Sequence, residues 1–311
     1  MWQYVIPNFR GFLNNLELWQ KECMDAEAKA QRIAQKLFAK YYPNLLFDPR
    51  CYAIVGSYGK RTAARPKTDV DMIFVVNPSE FPRINERAGG QSAFLREVKN
   101  ELLNRWPNTD IRGDGPVVKV PFDTYEFEVC PVFRWEENGN LFVTPHTKNG
   151  GWWGTTNPAA EISWLKDVDN GSSGKASQLV KMLKAWKREC NVEMRSICLE
   201  TAAVVFINQW QFAAKPTLHY HDWMVRDFFE FLLRYQSPGS WAKPAGINEQ
   251  IPLGEKWQGK AQTAYRNALK ACQHEREDNL LGAIEIWSNI FGDQFQAEWV
   301  TMLRKLTQVG A

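Results

Sequence analysis

The sequence has no Cys-x-x-Cys pair, and its six cysteines (Cys23, Cys51, Cys130, Cys190, Cys198, Cys272) are scattered through 311 residues. That spacing excludes a zinc ribbon and gives no disulfide framework; free cysteines at apolar positions pack as small hydrophobes. Cys272 and His274 lie close together but have no further ligands nearby in sequence, which argues against structural zinc. No uncharged apolar run reaches the length of a membrane span, and no basic-then-apolar leader pattern opens the chain. A cytoplasmic, reducing location with no membrane partner is expected. Neither sign of charge dominates: the formal net charge is +3, too mild for a strong nucleic-acid binder, and no nucleic-acid activator is indicated. There is no internal repeat and no low-complexity segment. What remains is an ordinary globular composition, rich in tryptophan, long enough for one large domain or two lobes.

The rest of the chain is organised around residues 54–76. Ile54-Val55-Gly56-Ser57 reads as a strand entering a Gly-Ser turn, a basic loop follows, and a second strand begins at Asp69-Val70-Asp71. Side chains alternate along a strand, so Asp69 and Asp71 share one face while Val70 points into the core. Two like charges side by side are unfavourable unless a cation lies between them. Magnesium answers that need, because it takes carboxylate oxygens and keeps room for substrate phosphates. Gly56 lets backbone approach a phosphate, Ser57 adds a hydroxyl, and the amides that follow can form an anion-binding nest. The plain alternative is an exposed acidic strand end after an ordinary loop.

Gly-Ser, a spacer and Asp-x-Asp resemble the metal-binding hairpin of polymerase-β-like nucleotidyltransferases. Glu126-Phe127-Glu128-Val129-Cys130-Pro131-Val132-Phe133 resembles the acid-Val-x-Pro-x-Phe segment that gives oligoadenylate synthetases and CD-NTases (cGAS/DncV-like nucleotidyltransferases) their third carboxylate. Glu128 is the matching acid, one methylene longer than the Asp of most relatives. Glu126 shares its strand face and is the backup. Lys181-Met182-Leu183-Lys184-Ala185-Trp186 resembles the family's basic-x-x-Lys-x-Trp helix. The resemblance implies that Lys184 contacts the donor triphosphate and Lys181 lies near the phosphates being rearranged; on base rates alone two lysines three apart mark a solvated helix face. Ser196 opens a block ending in Leu199-Glu200. It reads as a helix N-cap, and the resemblance makes it a secondary candidate for touching the donor base. A zinc insertion like that of vertebrate cyclic GMP-AMP synthase is not visible.

Elsewhere the pattern predicts a long helix over 12–42, striped by Leu16, Trp19, Cys23, Ala26, Ala30, Ile33 and Leu37 and ended by Pro43. It predicts a polar loop over 78–90, a helix over 94–106, and strands over 111–120 and 122–132. Residues 136–158 read as a loop, either a lip over a pocket or a linker with incidental tryptophans. From Ser177 the chain reads as helical almost to its end, with Trp287 and Phe291 in the core. The resemblance runs from the first helix to the last. It implies an α+β fold, with a polymerase-β-like nucleotidyltransferase core (a mixed sheet with helices) over 1–165. A helical lobe over 166–311 would join it through the N-terminal spine helix.

The expected chemistry follows from the resemblance: Mg-dependent nucleotidyl transfer, with Asp69, Asp71 and Glu128 holding two Mg²⁺ (Mn²⁺ substituting). Nucleoside triphosphates, ATP and GTP or another, would be closed into a cyclic di- or trinucleotide. This second messenger would act through a downstream effector in anti-phage (CBASS) defence. A linear oligoadenylate-type or antibiotic-modifying nucleotidyltransferase, and an inactive nucleotide-binding scaffold, stay open beside it. The C-terminal Gly310-Ala311 resembles an end conjugated to targets by a ubiquitin-transfer-like enzyme; ordinary fraying of a terminus is the commoner reading.

Overall fold

Two periodicities, two for strands and 3.6 for helices, divide the chain into a sheet-bearing part and a helical part. The computed structural model describes residues 2–66, 69–135, 139–215, 220–235, 239–246 and 250–295, with Trp2 and Gln3 in backbone only. The chain begins with helices α1 (Trp2–Leu16) and α2 (Gln20–Tyr41), then β1 (Tyr52–Ile54), the single turn α3 (Gly56–Gly59) and β2 (Asp69–Val75). Helices α4 (Phe81–Asn85) and α5 (Gly90–Leu103) precede strands β3 (Arg112–Asp114), β4 (Val117–Pro121) and β5 (Glu126–Arg134). Strands β6 (Phe142–His146) and β7 (Trp152–Thr156) lead into α6 (Pro158–Gly171), α7 (Lys175–Glu189), α8 (Ser196–Gln209) and α9 (His221–Leu232). A ribbon of β8 (Trp241–Ala242) and β9 (Ile251–Pro252) comes before α10 (Gln258–Arg276) and α11 (Leu280–Phe291).

Residues 18–163 with 245–248 form one compact unit; residues 1–17, 164–244 and 249–311 form the other, and the division falls within α6. The first unit carries a seven-stranded sheet in the order β1-β2-β5-β4-β3, with β6 beside β5 and β7 beside β6. Strands β2 and β5 run parallel and the other pairs are antiparallel, so the sheet is mixed, as expected. Val70, Met72, Phe74, Phe127 and Val129 are fully buried on one face, against the apolar stripe of α2 and Phe94, Val98 and Leu102 of α5. Each such side chain stabilises the fold by roughly 1.5–3 kcal/mol relative to exposure. The acidic ends of β2 and β5 are thereby turned to the opposite face.

The single helix predicted over 12–42 is instead two. The α1 stripe ends at Leu16, and the Trp19 N–H is taken by the Glu22 carboxylate at 2.6 Å, which caps a new helix. Trp19, predicted to lie on the buried stripe, is therefore 62 % exposed. Helix α1 belongs to the helical unit: Phe9 packs on Trp287 with ring centroids 5.4 Å apart, and Phe12 on Phe291 at 4.7 Å. Two segments predicted as loops carry regular elements. Residues 136–158 hold the β6–β7 hairpin, turned at Asn149, Gly150 and Gly151, all at positive φ. The polar loop over 78–90 contains α4. The strand predicted over 111–120 folds back at Gly115 as the β3–β4 hairpin.

Within the helical unit, Asp222 of α9 and Glu275 of α10 are buried. Donor atoms of Asp222, Cys272 and Glu275 lie within 4.8 Å of one another, so Cys272 has these two carboxyls as spatial neighbours. Trp287 Nε1 donates to Glu275 Oε1 at 2.9 Å. Burial pushes both carboxyls above their ordinary range, and the Glu275 carboxyl is raised further by Asp222. Among the described residues, no helix is long and apolar enough to cross a membrane.

Candidate active site

Strand register decides which acids meet. Parallel pairing sets Asp69 opposite Glu126 and Asp71 opposite Glu128. Because Val70 and Phe127 are turned into the core, these four carboxylates share the other face of the sheet, each partly exposed. Cys130, two residues on, shares that face; burial and the nearby Asp71 charge push its thiol up to about 12, so it stays neutral. A donor set of carboxylate oxygens is hard and suits Mg²⁺ or Mn²⁺ over softer ions.

Gly56 is explained by Asp71. Val55 N–H donates to the Asp71 carbonyl at 2.8 Å, which holds the start of α3 against β2. A Cβ at Gly56 would fall 1.9 Å from Asp71 Oδ2 and 2.9 Å from Asp71 Cβ, and φ is +56°. Glycine thus makes room for a carboxylate of the site, where the sequence suggested room for a phosphate. The nest predicted after Ser57 is largely used up: the amides of Gly59, Lys60 and Arg61 bond to Val55, Gly56 and Tyr58 carbonyls, and those of Thr62 and Ala63 to the Ser57 carbonyl. Ser57 is half-buried beside Gly56. Lys60 anchors the loop by a buried ion pair to Glu161 at 3.0 Å, and Arg65 stacks on Trp19 with its guanidinium 3.5 Å from a ring centroid.

Two basic residues escaped the sequence reading. Lys119 of β4 lies opposite Glu128, with Nζ 3.0 Å from Glu128 Oε1, 3.4 Å from Glu126 Oε1 and 3.3 Å from Asp114 Oδ2. Arg112 of β3 reaches Glu126 at 3.4 Å. The signal was present, since Lys119 alternates with buried Val118 and Val120 and so projects to the acidic face.

Asp69, Asp71, Glu128, Gly56 and Ser57 all come from the sheet-bearing unit, whereas Lys181, Lys184 and Ser196 belong to the helical one. Lys181 is buried and donates to Glu17; Lys184, three residues on, is half-buried. Ser196 does not cap α8: Arg195 holds the N-cap position, and the exposed Ser196 hydroxyl accepts from Lys187 Nζ at 3.2 Å. The C-terminal Gly310-Ala311 lies outside the described residues.

Residues 4–169 match the family described as Second Messenger Oligonucleotide or Dinucleotide Synthetase domain (SMODS). A protein of Acinetobacter sp. named cyclic AMP-AMP-AMP synthase is 25% identical over 265 residues, which is 77% of this chain and 71% of the relative. Among solved structures, Escherichia coli MS115-1 CdnC in its complex with HORMA-deltaN superposes with a TM-score of 0.67 at 16% identity, covering 95% of this chain and 99% of that one. Vibrio cholerae DncV, a cyclic AMP-GMP synthase solved with nonhydrolyzable GTP, gives 0.69 at 13% identity over 91% and 93% of the two chains.

Proposed function

The chain belongs to the family of the Second Messenger Oligonucleotide or Dinucleotide Synthetase domain, and on that premise we propose how its residues join nucleoside triphosphates into a cyclic di- or trinucleotide with release of pyrophosphate. The observation that carries the proposal is the β2–β5 register, which brings Glu128 beside Asp71 on a common face. Asp69, Asp71 and Glu128 would hold the divalent ions, and Gly56 keeps the space at Asp71 open. Two Mg²⁺, when bound, neutralise the triphosphate and lower the pKa of the attacking ribose hydroxyl. The Ser57 hydroxyl donates to a phosphate oxygen. Lys184 neutralises the β- and γ-phosphates of the donor; Lys181, whose ammonium is engaged by Glu17, supports it from the preceding turn. Ser196 meets the donor base. These residues position and neutralise, and positioning with preorganised charge is what phosphoryl chemistry demands of a protein.

ATP is the first substrate to test, with GTP or another triphosphate as second. None of the six cysteines is in a disulfide, which accords with action in the cytoplasm. The product, acting on an effector in anti-phage signalling, is the messenger. Incubating the protein with labelled triphosphates and Mg²⁺ is expected to give a phosphatase-resistant product whose mass is that of a cyclic oligonucleotide. Asp69→Asn with Asp71→Asn should abolish pyrophosphate release and leave the unfolding midpoint within a few degrees. Retained turnover in that variant, or a phosphatase-labile product from the wild type, overturns the proposal.

A further inference from the structure

Acidic residues directly opposite one another on adjacent strands destabilise a sheet unless a cation balances them. Here two such rows stand side by side, Asp69 with Glu126 and Asp71 with Glu128. The third strand supplies countercharge at close range: Lys119, only 20% exposed, reaches Glu128, Glu126 and Asp114 with one ammonium. Glu126 has Arg112 as a second partner. The shortest of the Lys119 contacts, 3.0 Å, goes to the candidate metal ligand Glu128. A lysine ammonium is a compact charge with three donors on a flexible stem, so it can serve several carboxylates and yield one of them.

We propose that Lys119 is a positioning residue: its ammonium is the resident countercharge of Glu126 and Glu128, holds the Glu128 carboxylate toward β4 in the metal-free protein, and raises the divalent-ion concentration at which the site fills. This rests on the reading of Asp69, Asp71 and Glu128 as metal ligands. Two consequences of opposite sign follow. Without the ammonium, the metal-free protein loses a balancing charge and unfolds more readily. The metal, no longer competing with a fixed cation, binds more tightly. A residue that merely braced the strand would weaken both.

The test is Mn²⁺ binding to the full chain without nucleotide, read from the free-ion signal by electron paramagnetic resonance. Lys119→Met, which keeps the stem and removes the charge, should lower the Mn²⁺ Kd about tenfold, equivalent to about 1.4 kcal/mol. Its metal-free melting temperature should fall, and added Mn²⁺ should raise it more than in the wild type. Lys119→Arg should restore the wild-type Kd. A Kd in folded Lys119→Met that stays within twofold of wild type, or rises, overturns the inference. Should Lys119→Met not fold, the wild type decides: lysine-selective ¹⁵Nζ resonances assigned with Lys119→Arg should show one ammonium shifting on Mg²⁺ addition, and its indifference to Mg²⁺ refutes the exchange. Wild-type Mn²⁺ binding that Asp69→Asn with Asp71→Asn does not remove would bring down the metal-site reading itself, and the inference with it.

Discussion

Replacing Gly56 by alanine tests the architecture of the site with one methyl group. The added Cβ would stand 1.9 Å from Asp71 Oδ2, 2.6 Å from its Cγ and 2.9 Å from its Cβ, at a residue whose φ is +56°. Rotation about the Asp71 Cα–Cβ bond can remove the first two contacts but not the third. The backbone of α3 or β2 must therefore shift as well. An alanine in the left-handed region costs about 1–2 kcal/mol, and overpacking adds about 1–3 kcal/mol. Gly56→Ala should thus lower stability by about 2–5 kcal/mol and, by displacing Asp71 on the order of 1 Å, reduce pyrophosphate release roughly 100-fold. Denaturant unfolding of Gly56→Ala, Asp71→Gly and the double variant isolates the cause. Asp71→Gly removes all three atoms that the new methyl would meet, so the double variant should be about 1–3 kcal/mol more stable than additivity predicts. Additive effects, or a Gly56→Ala enzyme with full turnover, would refute the account of Gly56.

The neighbouring acids should separate by role. Glu128→Gln is expected to lower pyrophosphate release by about two orders of magnitude or more, on the scale of losing one charge-stabilising group. Glu126→Gln, which loosens Arg112 and Lys119, should cost less than tenfold; equal losses in the same assay would erase the distinction. In the helical unit, burial and Asp222 push the Glu275 carboxyl up to about 9. The folded state therefore holds a proton that the unfolded state has already released, so this stabilisation is fully present below the ordinary carboxylate range and is lost as pH rises through about 9. Glu275→Gln should flatten the decline in melting temperature between neutral and alkaline pH; an unchanged slope in a pH series would refute the proton assignment.

That Asp69 and Asp71 share one strand face was legible because alternation depends on local sequence alone; Glu128 came from the resemblance, since its register opposite Asp71 is a long-range pairing. Even so, the reason for Gly56 came only with the structure, since nothing local says that α3 folds back onto Asp71. Lys119 and Arg112 escaped because their role depends on which strands neighbour β5, a long-range choice. The break at Trp19 was hidden by an apolar repeat that runs on through it, while the Glu22 carboxylate that starts α2 is a single side chain. The β6–β7 hairpin was masked by glycine and asparagine at its turn, residues that read equally well as plain loop. Ser196 has the residue type of a cap, although the N-cap position falls on Arg195, one residue earlier.

The pairing of β2 with β5 has a consequence for how this protein can fail. A slip of β5 by one residue against β2 would turn Glu126 and Glu128 into the core and Phe127 and Val129 out of it, so a slightly misaligned sheet is strongly disfavoured. Damage inside the α2-facing layer should therefore thin out the population of working molecules and leave each survivor at full speed. The same hydrophobic alternation that assembles the layer also serves as the inspector of its reactive edge.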